Sequence, residues 1–278
     1  MVLSTQTEVG SKRLGDEKCV RMICEAGFDA LDYSMFCMQA DDNILNQPTY
    51  LEHVFEVKKI VESYGKYFNQ AHAPFPSFKV GEDTYNTVIL EKIKRSIEIA
   101  GTLGAKNIVI HPTYYGKDSK RNLELNAEFY NNLIPLCKEY NIKIACENMF
   151  GRDRRRHCII PNICSVGEEF KAMMDMLDPR YFTACVDTQA LSERRLPKCS
   201  ELSVTRMSAV CTSMTMTILR TGIVRRISLI STGRKSLRLL PRLTIRAILH
   251  LNLMIFLLIS PKRSSRQHIS FCMISAGA

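Results

Sequence analysis

Four polar residues close otherwise apolar runs in the first two thirds of the chain. They are His72 after "YFNQA", His111 after "KNIVI", Glu147 after "IKIAC" and Asp187 after "YFTACV". A run that is apolar along its length and polar at its last position buries its body and offers its tip. A buried charge without a partner is costly, so Glu147 and Asp187 each require a cation. Two carboxylates and two imidazoles around one mouth supply the oxygen and nitrogen donors that hold a divalent metal. Any one histidine at a strand end is more often a satisfied structural residue; the four together carry the expectation. Beside Glu147, "GRDRRRH" (151–157) places four arginines. It reads first as a solvated loop and second as a lid that meets an anionic or hydroxyl-rich substrate.

Such tips converge only if the runs are neighbouring parallel strands. The order of signals supports this. "FDALDYSMF" (28–36), "KYFNQAHAPF" (66–75), "KNIVIHP" (106–112), "IKIACEN" (142–148) and "YFTACVD" (181–187) read as strands. Between them, 50–65, 85–104, 122–141 and 165–178 carry helical periodicity. Gly65 and Gly104 follow two of these helices as C-caps, and Ser165 with Glu168 suggests a capping box. Alternation of strand and helix implies a parallel sheet with helical cover. Five or six such units in under 190 residues predict most of a (β/α)8 barrel, whose functional residues lie at the C-terminal ends of the strands. An open doubly wound sheet is the alternative, although no glycine-rich phosphate loop follows the first strand.

The alternation stops near residue 188, and so does the charge balance. Residues 1–188 hold 23 Lys+Arg and 26 Asp+Glu, net −3, whereas 189–278 hold 15 and two, net +13. The two acids of the tail are Glu193 and Glu201. The chain therefore divides into 1–188, the N-terminal part of a barrel, and 189–278, a basic segment rich in Ser, Arg and Leu that fits neither period. The fold expected is an incomplete (β/α)8 barrel with an aberrant C-terminal segment, and the tail is not expected to supply the strand period of a closing pair. The eleven cysteines have no CxxC pairs and read as reduced, buried thiols. The N-terminus lacks a signal-peptide pattern, and "AILHLNLMIFLLI" (247–259) is shorter than the roughly 20 residues that span a bilayer. A cytoplasmic protein without membrane or nucleic-acid partners is expected. The competing expectation is a non-catalytic barrel whose basic tail binds RNA or an anionic membrane surface.

The segments "AGFDALDYSMF", "HAPF", "VIHP", "IACENMFGR" and "YFTACVDT" resemble, in order and spacing, the sugar phosphate isomerase/epimerase family of xylose isomerase-like TIM barrels. The resemblance covers 1–188. It implies a divalent metal (Mn²⁺, Co²⁺ or Mg²⁺) held by a Glu, an Asp, a His and a second Glu. Glu147 matches the first Glu, as metal ligand and acid/base, and Asp187 matches the Asp. His72 and His111 match positions close to the substrate, a sugar or sugar phosphate. The chemistry implied is proton exchange next to a ketose carbonyl through an enediolate. A more distant member of the group, endonuclease IV, implies a metal phosphodiesterase as the alternative, although its trinuclear zinc site takes more histidines than the six in this chain.

The family continues with "HVHDNDY…DWH" and "FELDDF", which carry the metal His and the second Glu. Neither stands in the tail as written. Regrouping each codon's third base with the next two bases brings both back. Across Val210 to Ile218 the regrouped codons accommodate "LHVHDNDY". Each Met-Thr step there forces Asp, because Met has a single codon. "HLNLMIF" (250–256) likewise accommodates "FELDDF", with its second Asp forced by Met254-Ile255. The tail thus looks like a frameshifted translation of the family's C-terminal part, with the shift between Thr188 and about Ser192. As written, the chain lacks the metal His and the second Glu, so metal binding is expected to be weak and activity absent.

Overall fold

The computed structural model describes residues 2–153, 155–156, 158–187, 209–213 and 248–250. The chain opens with β1 (Leu3–Gln6), α1 (Glu8–Leu14), α2 (Asp16–Glu25) and β2 (Ala30–Ser34). After two 3₁₀ turns come α3 (Tyr50–Ser63), β3 (Phe68–His72), α4 (Asp83–Leu103) and β4 (Asn107–Ile110). The following elements are α5 (Ser119–Asn131), α6 (Ile134–Glu139), β5 (Lys143–Glu147), β6 (Phe150–Asp153), β7 (Cys158–Pro161), α7 (Gly167–Asp175) and β8 (Phe182–Asp187). Two short strands complete the set, β9 (Ala209–Ser213) and β10 (Ile248–His250).

Eight parallel strands pair in the ring order β1-β10-β9-β8-β5-β4-β3-β2. Ring strands β1 to β5 are each followed by helix, with the β6–β7 hairpin standing between β5 and α7; among the described residues no helix follows β8. The fold is a TIM-barrel-like α/β ring, incomplete in its helical layer. One expectation is corrected here. The tail does supply strands: 209–213 and 248–250 take the seventh and eighth places of the ring. Backbone pairing in a parallel ladder asks little of side-chain type, so a segment without strand periodicity can occupy such a place. The remainder of 189–278 lies outside the described residues.

The outward faces of the strands meet the helices. Leu31, Tyr33, Phe68, Ile108, Ile110, Ile144 and Phe182 join the main core with α4's stripe of Ile89, Ile93, Ile97 and Ala100. Each isoleucine so buried stabilises by roughly 1.5–3 kcal/mol before entropy is subtracted. Helix α4 stops at Gly104, which takes the left-handed conformation (φ 83°) that a side chain would strain. Residues 122–141, expected as one helix, form two, because Pro135 has no N–H to donate and disfavours helical backbone at the residue before it. The expected capping box is also corrected. Helix α7 begins at Gly167 without a side-chain cap, and it is Glu169 that reaches back, accepting from the Cys164 amide at 2.8 Å. The arginine-rich loop is a hairpin, with β6 and β7 antiparallel and Arg152, Arg155 and Arg156 exposed. Of the cysteines described, Cys19, Cys24, Cys137, Cys146, Cys164 and Cys185 are buried and stand outside any disulfide.

Candidate metal centre

The inner face of the ring is set by one irregularity. Leu31 pairs with Phe68 but Asp32 pairs with Gln70, so Asn69 is an extra residue in β3. This bulge changes the phase of the strand. Phe68 stays outside against Tyr33, with ring centroids 5.7 Å apart, while Gln70 and His72 turn inward. Beyond a small apolar floor of Val109, Ala145 and Cys185, the strand ends present polar groups.

His72 is 2 % exposed and ends β3. Its Nδ1 lies 2.9 Å from Oδ1 of Asp32, which is fully buried. A carboxylate only accepts, so Nδ1 carries the proton and, while the ring is neutral, Nε2 keeps its lone pair. That lone pair lies 3.9 Å from Glu147 Oε2, at the end of β5. The same oxygen is 2.9 Å from Nε2 of His111, just past the end of β4. Burial disfavours the charged form of His72. The charge and hydrogen bond of Asp32, with Glu147 beyond, outweigh this and raise its pKa above the usual imidazole value. Phe36 and Phe75 wall the histidines, Phe36 at 5.7 Å from His72 and Phe75 at 4.8 Å from His111 between ring centroids.

One ligand atom each from His72, His111 and Glu147 lies within 4.8 Å of the other two, and all three residues are buried. The donor set fits a cation on this structure's own terms. Nε2 of His72 faces a carboxylate oxygen at 3.9 Å, beyond hydrogen-bond reach, and Nδ1 of His111 is buried without a hydrogen-bond partner. Two imidazoles and one carboxylate are also a common zinc-type ligand set. Asp32 stands behind His72 in the place that orients a metal-bound imidazole.

Asp187 ends β8, beside β5, but Glu147 pairs with Cys185, so Asp187 stands two residues further out. It is buried, and its backbone makes two bonds with the Asn148 side chain, its N–H donating to Oδ1 at 2.7 Å and its carbonyl accepting from Nδ2 at 2.9 Å. The structure thus brings together three of the four expected residues and holds the fourth at the rim through Asn148. Asp32 was missed by sequence reasoning. It sits inside "ALDYS", and the same signal that singled out Glu147, an acid within a buried apolar strand, marks it.

Parallel strands closed into a ring, with histidines and a carboxylate gathered at their C-terminal ends, define a barrel of the enzyme-bearing (β/α) class. The profile of the family described as Xylose isomerase-like TIM barrel matches residues 20–205, and the chain belongs to that family. A curated protein of Acholeplasma laidlawii (strain PG-8A), named "Probable endonuclease 4", is 25% identical over 169 residues, covering 58% of this chain and 55% of that protein. The chain therefore spans about half the length of the curated relative it matches. Among solved structures, a D-allulose 3-epimerase from Methylomonas sp. aligns with a TM-score of 0.56 and 17% identity, covering 77% of this chain and 73% of its own. The IOLI protein with a binding zinc atom aligns with a TM-score of 0.56 and 15% identity, covering 77% and 74%. At these identities the structural likeness speaks for the fold. No helix among the described residues is long and apolar enough to cross a membrane.

Proposed function

We propose that the gene encodes a metal-dependent sugar or sugar-phosphate isomerase/epimerase of the cytoplasm and carbohydrate metabolism, with residues 1–188 as the catalytic N-terminal part. The observation that carries this is the convergence of His72, His111 and Glu147, with ligand atoms within 4.8 Å, at the mouth of the ring. His72, His111 and Glu147 would hold the cation, with Asp187 at its rim and Asp32 orienting His72. A bound divalent cation would polarise a ketose carbonyl and stabilise the charge of the enediolate. Glu147 would take the proton from the adjacent carbon, a role supported by its lying 2.9 Å from His111 Nε2 beside the ring contacts of Phe36 and Phe75 with the histidines. Two imidazole donors favour Co²⁺, Mn²⁺ or zinc over Mg²⁺, which prefers oxygen ligands. The sugar class is supported by relatives of the fold, among them the Methylomonas epimerase, also solved in complex with D-allulose.

Inversion at carbon needs a second base on the opposite face, and the tail as written carries no acid after Glu201. The frameshift reading accounts for this. It is supported by where the ring closes. β9 (Ala209–Ser213) overlaps the stretch that regroups to "LHVHDNDY", and β10 (Ile248–His250) ends where the stretch regrouping to "FELDDF" begins. The test is turnover of ketoses with Mn²⁺, Co²⁺ or Zn²⁺ by the chain as written and by one returned to the regrouped frame after Thr188. Turnover by the second alone supports the proposal. Equal turnover by both would overturn the frameshift part, and none by either would overturn the activity.

A second reading, a metal phosphodiesterase, draws on the same two-histidine, one-glutamate set and on the curated relative named above. Hydrolysis of bis-p-nitrophenyl phosphate by the regrouped chain, without ketose turnover, would favour it.

A further inference from the structure

A second polar site lies beside the first. A cavity of about 350 Å³ opens between α1, the start of α2, the end of β2, the 3₁₀ turns and α3. Its wall includes Ser11, Lys12, Asp16, Ser34, Asn43 and His53. The β2–β3 ladder links the two sites by backbone pairing. Ser34 lines the cavity and pairs in register with His72, about 4.8 Å away across one strand spacing.

Ser34 is the group with nothing to do. It is 3 % exposed, its amide donates to Thr7 Oγ1 at 3.0 Å, and its hydroxyl has no partner. A buried hydroxyl beside a cavity is a vacant donor and acceptor for a ligand. The charged groups, by contrast, are engaged. Lys12 Nζ lies 2.5 Å from Glu8 Oε1. Asp16 Oδ2 accepts from Tyr33 Oη at 2.6 Å and from His53 Nε2 at 2.9 Å. Every cation of the wall thus faces a carboxylate, and the four groups sum to neutral or slightly negative. The N-terminal turn of α2, which opens onto the cavity at Gly15, carries its own acids, Asp16 and Glu17. A phosphate dianion requires an unpaired cation or a helix N-terminus free of acids, and this wall offers neither. Hydroxyl groups, which both donate and accept, match what the wall exposes.

We infer that this cavity receives the uncharged, hydroxyl-bearing end of the substrate whose reacting carbons lie at His72, His111 and Glu147, so that the site takes free polyhydroxy ketones and discriminates against their terminal phosphates. The inference rests on the sugar reading proposed above and decides between its two substrate classes.

The test uses the 278-residue chain and two pairs of probes, D-fructose and D-allulose, each beside its 6-phosphate, followed by saturation-transfer NMR and titration. Zn²⁺ affinity is measured on the same samples. The neutral member of at least one pair should bind, and its 6-phosphate should bind roughly tenfold more weakly, the effect of burying a charge without a partner. Ser34→Ala removes a hydroxyl that makes no internal bond, so the thermal midpoint should hold while affinity for the neutral sugar falls roughly fivefold. Zn²⁺ affinity should not change. A 6-phosphate that binds as tightly as its parent sugar, a Ser34→Ala variant with unaltered affinity, or no neutral sugar bound overturns the inference. If Zn²⁺ still binds in such a case, the metal centre survives and only the cavity's role is lost. If the unmutated chain binds no Zn²⁺, the reading of the centre fails with it.

Discussion

Asp32 Oδ1 stands 2.9 Å behind His72 Nδ1, and this contact decides which nitrogen of the ring faces Glu147. With the proton fixed on Nδ1, Nε2 is a donor of electrons at every moment that the ring is neutral. Asp32→Asn keeps the shape but can present an amide N–H to Nδ1, which reverses the preferred tautomer. Zn²⁺ affinity should fall by about 10–100-fold, the range for loss of such an orienting carboxylate. Calorimetric titration checks this, and an unchanged affinity would show that Asp32 serves packing alone.

Glu147 is shared by both histidines, so its removal should cost more than that of either. In the chain returned to the regrouped frame, Glu147→Gln should abolish ketose turnover and weaken metal binding, whereas the chain as written should show no turnover with Mn²⁺, Co²⁺ or Mg²⁺. Substrate epimerisation followed by polarimetry is the measurement. Metal-dependent turnover by the unaltered 278-residue chain would mean that the tail supplies its own ligands.

Gly101 lies inside α4, where alanine ordinarily gains about 1 kcal/mol over glycine. Here a Cβ would lie 2.7 Å from Tyr140 Cβ and 3.0 Å from its carbonyl oxygen. Backbone and Cβ atoms cannot swing aside as a side-chain tip can. Overpacking of this kind costs about 1–3 kcal/mol, so the clash wins and Gly101→Ala should lower the urea midpoint. A raised midpoint would place α6 further from α4 than described.

Asp16 gives the acid limb of stability a definite origin. Burial opposes its charge, but the hydrogen bonds of His53 and Tyr33, with the Ser11 hydroxyl beside them, outweigh burial and lower its pKa below 3.8. The unfolded chain therefore binds this proton more readily than the folded one. The resulting stabilisation is present above the unfolded pKa and is lost as pH falls through the folded one, below about pH 4. Thermal melts at descending pH should show a smaller acid loss in Asp16→Asn than in the unmutated protein. Parallel curves would remove Asp16 from that role.

How much of this was legible depended on how each element advertises itself. β3, β4, β5 and β8 are apolar runs with a polar end, and the tips of three of them meet at the centre. β1 was invisible because "LSTQ" is polar at three of four positions, its burial coming from the ring around it. Asp32 was passed over because β2 was read as running to Phe36, which moved attention past its interior. The bulge at Asn69 leaves no mark in the sequence, since only pairing with β2 reveals it. The hairpin β6–β7 was hidden by its charge, and the two tail strands by the lack of any strand period. The Ser165 box misplaced the start of α7 because Cys164 takes a positive φ of 59° and shifts the helix start to Gly167.

The extra residue at Asn69 has a reach beyond β3. A strand is read in twos, inward then outward, much as a gene is read in threes. A point change at His72 removes one donor, but a further residue inserted between Gln70 and Ala71 would transpose the alternation beyond it, sending His72 out among the helices and drawing Ala71 into the mouth. In this molecule the chemistry is kept by phase as much as by residue type. A slip of one amino acid in β3 would silence the site without altering any of the residues that build it.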